Sequence, residues 1–156
     1  MEVLKDFIQN YLLISAGVSW LVAQICKVFT GIFRERHFSI VSLLTGTGGM
    51  PSSHSACVTA LAVSSGLYYG WGSAAFAIST ILALVVMRDA SGVRREAGKQ
   101  AKVLNQIIQE MFNTSDEKRF QADLKELLGH TPLQVFVGAV LGAVVALLLW
   151  PLFPNA

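Results

Sequence analysis

Two imidazoles and a scatter of cations are the groups in this 156-residue chain best suited to chemistry on a phosphate. His54 closes the run Gly48-Gly49-Met50-Pro51-Ser52-Ser53-His54, where a glycine-rich loop meets an apolar segment. Glycines let backbone amides approach an anion, and a helix amino end adds partial positive charge. The run reads as a turn opening a helix, with Pro51 at the first helical position. An imidazole placed there can donate a proton, while the hydroxyls of Ser52 and Ser53 and the turn amides can point at one oxyanion. His130 has a comparable setting in His130-Thr131-Pro132-Leu133-Gln134, where Thr131 suits the N-cap, Pro132 the first helical position and Gln134 the third. A neutral imidazole just outside that amino end is a candidate nucleophile toward phosphorus. Gln134 also has a structural use, reaching back to the Thr131 amide in a capping box.

Cations are spaced to serve both rings. Lys27 is followed seven residues on by Arg34, and the stretch 87–100 gathers Arg88, Asp89, Arg94, Arg95, Glu96 and Lys99. An arginine can clamp a phosphate bidentately. Asp89, near a membrane boundary, is costly unless Arg88, Arg94 or Arg95 pairs it. Plainer readings stand beside these: the cations as membrane anchors and snorkellers, His54 as a packing residue, His130 as a loop residue. The three histidines His37, His54 and His130 are scattered, and no metal-ligand spacing occurs, so no metal or other cofactor is expected. Cys26 and Cys57 fall at or inside apolar segments and read as free thiols.

The elements that must position these groups are membrane helices. Hydrophobic residues make up 53% of the chain and charged ones 14%, against roughly 25% charged in soluble domains. Apolar stretches at about 7–26, 55–69, 73–87 and 133–150 are long enough, or nearly so, to span a bilayer. The middle two are short and should extend into their polar flanks. The expected fold is all-α: a polytopic helical membrane protein of about four transmembrane helices plus interfacial amphipathic helices, forming one domain over 1–156. No cleavable signal peptide is expected, since Lys5 is followed by Asp6 and no small-residue site closes the first apolar run. With four spans, 27–54 and 88–132 share one side, and that side carries every Lys and Arg except Lys5. The positive-inside rule makes it cytoplasmic, with the termini outside and the cell membrane as the location. Apolar residues Ala97, Ala101, Leu104, Ile108 and Met111 recur at helical spacing opposite Lys99, Lys102, Gln106 and Gln109, giving a helix that can lie among headgroups. Thr114 and Glu117 read as a capping box for a second such helix, which ends near Gly129. Small residues Ala56, Ala60, Ser64 and Ser65 allow close helix packing, within one chain or in a homodimer. Nothing suggests nucleic acid as a partner.

These residues together resemble the type-2 phosphatidic acid phosphatase and vanadium haloperoxidase superfamily, in its small divergent membrane branch. That superfamily carries a lysine followed seven residues on by arginine-proline, then a Pro-Ser-Gly-His turn, and finally a histidine followed four residues on by aspartate. Lys27 and Arg34 match the first element, with Glu35 in place of proline. Pro51-Ser52-Ser53-His54 matches the second, with Ser53 in place of glycine, and His130 matches the third, followed by Pro132, Val135, Gly138 and Gly142 as in its usual helix. The resemblance implies that Lys27, Arg34 and Arg94 or Arg95 hold phosphate, that His54 protonates the leaving group and that His130 attacks phosphorus. Two departures matter: Gln134 stands where the aspartate is expected, and no arginine lies six residues before His130. Asp89 or Glu96 would have to stand in for the carboxylate.

The resulting expectation is a membrane phosphatase, or a phosphate-binding relative, acting without metal on a lipid phosphomonoester or diphosphate through a phosphohistidine. Phosphate or vanadate can occupy such a site. The rival is a non-catalytic membrane protein that binds or moves phosphorylated lipids with the same pocket.

Overall fold

The computed structural model describes residues 7–34, 50–111 and 130–153, without the side chains of 31–34, 94–95 and 108–111. Five helices carry the fold: α1 Tyr11–Arg34, α2 Ser53–Tyr69, α3 Ala74–Ser91, α4 Val93–Met111 and α5 Pro132–Leu149, the last ending in a 3-10 turn over Trp150–Leu152. No strand occurs among the described residues. The protein is an all-α membrane protein, and segments Tyr11–Thr30, Ala74–Ile107 and Pro132–Leu152 are long and apolar enough to cross a bilayer. The short middle stretches do extend into polar flanks, α3 as far as Ser91 and α2 back to Ser53.

The shortest of the bundle helices, α2, is its centre. Its 17 residues span about 25 Å, less than the roughly 30 Å of hydrocarbon, yet it packs against α1, α3 and α5. Small side chains make that possible: Ala56, Ala60 and Ser64 are fully buried and Ser65 nearly so. The Ser64 and Ser65 hydroxyls bond back to the Leu61 carbonyl at 3.0 and 2.8 Å, which satisfies them where water is absent. Against α2 lie Gly138 and Gly142 of α5. A Cβ at Gly138 would collide with the Ser52 carbonyl oxygen, and one at Gly142 with that of Ala56. Close backbone approach through small residues is how membrane helices gain packing energy without a hydrophobic drive.

The two ends of the bundle differ. At one end the Tyr11 hydroxyl donates to the Ala146 carbonyl at 2.8 Å, and its ring packs on Trp150 and Phe153 with centroids 5.2 and 5.1 Å away. The turn between α2 and α3 is at this end, with Gly70 at φ +87°, Ser73 capping α3 and Trp71 edge-on to Phe76. Such a belt of amphipathic rings suits a membrane–water boundary. At the other end lie the amino ends of α2 and α5 and the carboxyl ends of α1 and α3.

Helix α4 follows α3 after Gly92 and begins four residues earlier than its apolar pattern suggests. Its buried line is Gly98 and Asn105, with Ala101 half-buried, while Ala97, Val103, Leu104 and Ile107 are exposed. The protein-facing line thus runs beside the expected apolar face, of which Ala97 and Leu104 are exposed and Ala101 half-buried. Small residues allow close approach to the protein, and the larger apolar ones are left for lipid. The helix expected after Thr114 lies outside the described residues.

Candidate functional site

Among the described residues, three hydrogen bonds to backbone carbonyls join the segments of the polar end. The Thr30 hydroxyl, near the end of α1, donates to the Met50 carbonyl at 2.7 Å. The Ser52 amide donates to the Gln134 carbonyl at 3.0 Å, tying the start of α2 to the first turn of α5. The His130 amide donates to the Ala90 carbonyl at 3.0 Å, tying the start of α5 to the end of α3. Buried backbone groups must be paired, and pairing them here fixes four helix ends relative to one another. Thr30 and Ala90 had not stood out in the sequence. Thr30, one turn beyond Lys27, could have been found as a neighbour on the same face; Ala90 carries no chemical signal.

Within this frame the two imidazoles come together. The ring centroids of His54 and His130 are 6.4 Å apart, with their planes at 55°. His54 is exposed, whereas His130 is buried at 6% exposure and so is not a solvent-facing loop residue. Lys27 is half-buried, and its Nζ donates to the Ser53 Oγ at 3.1 Å, immediately beside His54. Near the polar end of α1 the ammonium is thus held against the start of α2 and not left only to snorkel toward water. The amino ends of α2 and α5 both open here, so their partial positive charges add to that of the ammonium.

Ser52 and Ser53 divide their roles. Ser52 is the N-cap of α2, fully buried, its Oγ accepting from the Ser55 amide at 3.4 Å and the Ser55 hydroxyl at 3.0 Å. Pro51 therefore precedes the cap instead of occupying the first helical position, because Ser52 takes the N-cap and Ser53 opens the helix. Ser53 carries the hydroxyl that meets Lys27.

Gln134 does two things with one oxygen. It completes the capping box: its Oε1 accepts the Thr131 amide at 2.9 Å, and its own amide donates to the Thr131 Oγ1 at 3.4 Å. The same Oε1 lies 3.4 Å from His130 Nδ1. An atom that receives a backbone N–H must be the amide oxygen, and an oxygen facing Nδ1 favours the proton there. With the proton on Nδ1, the ring's lone pair is on Nε2.

The remaining expected residues are placed less completely. Asp89 is half-buried in the last turn of α3, next to the Ala90 carbonyl that holds His130. Glu96 is ion-paired with Lys99 at 2.7 Å on an exposed part of α4. The side chains of Arg34, Arg94 and Arg95 lie outside the described residues, although their backbones end α1 and open α4. Cys26 and Cys57 are free thiols. Among the described residues no group of three or more His, Cys, Asp and Glu could hold a metal ion.

The Divergent PAP2 family profile matches residues 8–145, from α1 through most of α5. This chain belongs to that family. It is also 42% identical to the "Uncharacterized membrane protein YuiD" of Bacillus subtilis (strain 168), over 92% of this chain and 96% of that protein. No solved structure matches the chain. Membership of the Divergent PAP2 family makes this a phosphatase-related membrane protein, and the family match contains every residue of the polar end described above.

Proposed function

We propose that the chain hydrolyses a phosphomonoester or diphosphate on a membrane lipid through a phosphohistidine at His130. The observation that carries this reading is the pairing of His54 and His130 at 6.4 Å beside the Lys27–Ser53 contact. The phosphate rests against the Lys27 ammonium, the Ser53 hydroxyl and the amino ends of α2 and α5, with Arg34 and Arg94 or Arg95 as further cations. His130 Nε2 attacks phosphorus, forming a P–N bond as the P–O bond to the lipid breaks. His54 gives its proton to the departing oxygen, then takes one from the water that cleaves the P–N bond and releases inorganic phosphate. Preformed cations and dipoles aimed at the charge that develops provide the main rate enhancement. The site opens at one face of the bilayer, where a headgroup arrives with its tails still in lipid; the concentration of Lys and Arg on that side favours the cytoplasmic face of the cell membrane. The partners are thus the phosphorylated lipid and the bilayer itself.

The test is phosphate release by the purified, reconstituted protein from phosphatidate or a polyprenyl diphosphate, in buffer freed of divalent metal. Wild type should release phosphate and His130→Ala should not; equal background in both would remove the enzymatic reading. One observation favours a second reading, a protein that binds or moves phosphorylated lipids. Gln134 presents a neutral amide to His130, which orients the ring but cannot offset the positive charge formed on attack. Tight vanadate binding with no turnover in wild type would support that alternative.

A further inference from the structure

A concavity whose lining includes neither imidazole lies in the angle where α3 gives way to α4. It is lined by Arg88, Gly92, Val93, Glu96, Ala97 and Gln100 and has a volume of about 480 Å³. Its walls come from two helices with different surroundings. Above it, α3 turns Ile78, Ile81, Leu84 and Val85 outward, 55–70% exposed, on a segment apolar enough to cross the bilayer. Beside it, α4 continues the apolar surface with Leu104 and Ile107, 48% and 45% exposed. The notch therefore lies where the apolar stripe of α3 meets the exposed apolar side of α4, beside Arg88, the first charged residue after that stripe.

Its charge selects the headgroup. Arg88 is exposed in the last turn of α3. The Glu96 carboxylate in the notch is met by Lys99 at 2.7 Å, so Arg88, Glu96 and Lys99 together carry a net single positive charge. Gln100 adds an amide able to donate and accept, whereas Gly92, Val93 and Ala97 give an apolar floor. We infer that this notch binds a resident anionic phospholipid, its phosphate on Arg88, its polar head against Gln100 and one acyl chain along Ile81, Leu84 and Val85. Neither His54 nor His130 lines the notch, so this lipid is held and not turned over, and the inference does not rest on the protein being a phosphatase.

The experiment reconstitutes the full chain in vesicles of equimolar phosphatidylcholine and phosphatidylglycerol, then reads the lipids retained after mild detergent extraction by native mass spectrometry. Wild type should retain phosphatidylglycerol in clear excess. An arginine near the surface contributes about 1 kcal/mol toward an anionic lipid, so Arg88→Gln should lower the phosphatidylglycerol-to-phosphatidylcholine ratio about fivefold, and Arg88→Lys should keep it. Val93→Trp fills the notch without changing charge and should reduce retention of both lipids. An unchanged ratio in Arg88→Gln, or full retention in Val93→Trp, would overturn the inference.

Discussion

At the scale of single residues, the proposed chemistry depends on what Gln134 can and cannot do. Its oxygen is shared between the Thr131 amide and His130 Nδ1, so it caps the helix and orients the ring with the same atom. Gln134→Glu has the same reach and keeps both contacts, but adds a charge that stabilises the imidazolium formed on attack. In the serine-protease triad, replacing such a carboxylate by an amide lowers kcat by roughly 10⁴. Turnover of Gln134→Glu should accordingly rise by about 10²-fold or more, measured as phosphate release under saturating lipid. His54 makes a different forecast. As a proton donor to the leaving oxygen, it should matter for an alkoxide and matter little for a nitrophenolate, which departs unprotonated. In a single turnover of phosphoryl transfer to His130, before the water step that His54 also serves, His54→Ala should slow the reaction of phosphatidate by about 10²–10⁴-fold and leave that of p-nitrophenyl phosphate nearly unchanged. Equal losses on both substrates would assign His54 a different role. Much of this was legible in the sequence, because Pro51-Ser52-Ser53-His54 and His130-Thr131-Pro132-Leu133-Gln134 announce helix starts by their residue types. The division of labour between Ser52 and Ser53 was not. Both serines are buried, and which of them caps α2 depends on where the helix starts.

At the scale of helices, the separation of the rings is set by how closely α5 lies on α2. Gly138 sits against the Ser52 carbonyl, two residues from His54, and eight residues from His130 along α5. Gly138→Ala forces these backbones apart. It should cost about 1–3 kcal/mol of stability, as overpacking does, and reduce phosphate release in the protein that remains folded. Gly17→Ala is the control: a Cβ there meets nothing within 4 Å, so the substitution should be neutral or stabilise α1 by up to about 1 kcal/mol. Thermal unfolding in detergent reads both, and equal effects would show that helix propensity, and not the α2–α5 contact, governs Gly138. The sequence did show small residues along both helices. It could not show which pairs meet, since register between helices far apart in the chain is a property of packing alone. A related limit applies to α4: amphipathic spacing marks an apolar side but not whether protein or lipid covers it, and here Gly98 and Asn105 turn to the protein while Leu104 is exposed.

At the scale of the whole molecule, an aromatic boundary at one end and a polar assembly at the other follow from the connectivity. Four bundle helices that alternate direction must bring the carboxyl ends of α1 and α3 beside the amino ends of α2 and α5. Composition and four apolar stretches made the membrane class and that alternation readable in advance. What composition could not supply was the convergence of Lys27, Ser53, His54 and His130, residues separated by up to 103 positions (130 − 27) in the sequence. The three hydrogen bonds to backbone carbonyls that join the segments of the polar end supply it. The most direct test of a shared oxyanion between the two rings is to catch the phosphoryl group on its nucleophile. Protein mixed briefly with ³²P-labelled phosphatidate, quenched in denaturant and digested, should carry label that is stable in alkali, lost in acid and confined to the peptide containing His130. Turnover of the lipid with no such label, or with label on another residue, would contradict the account.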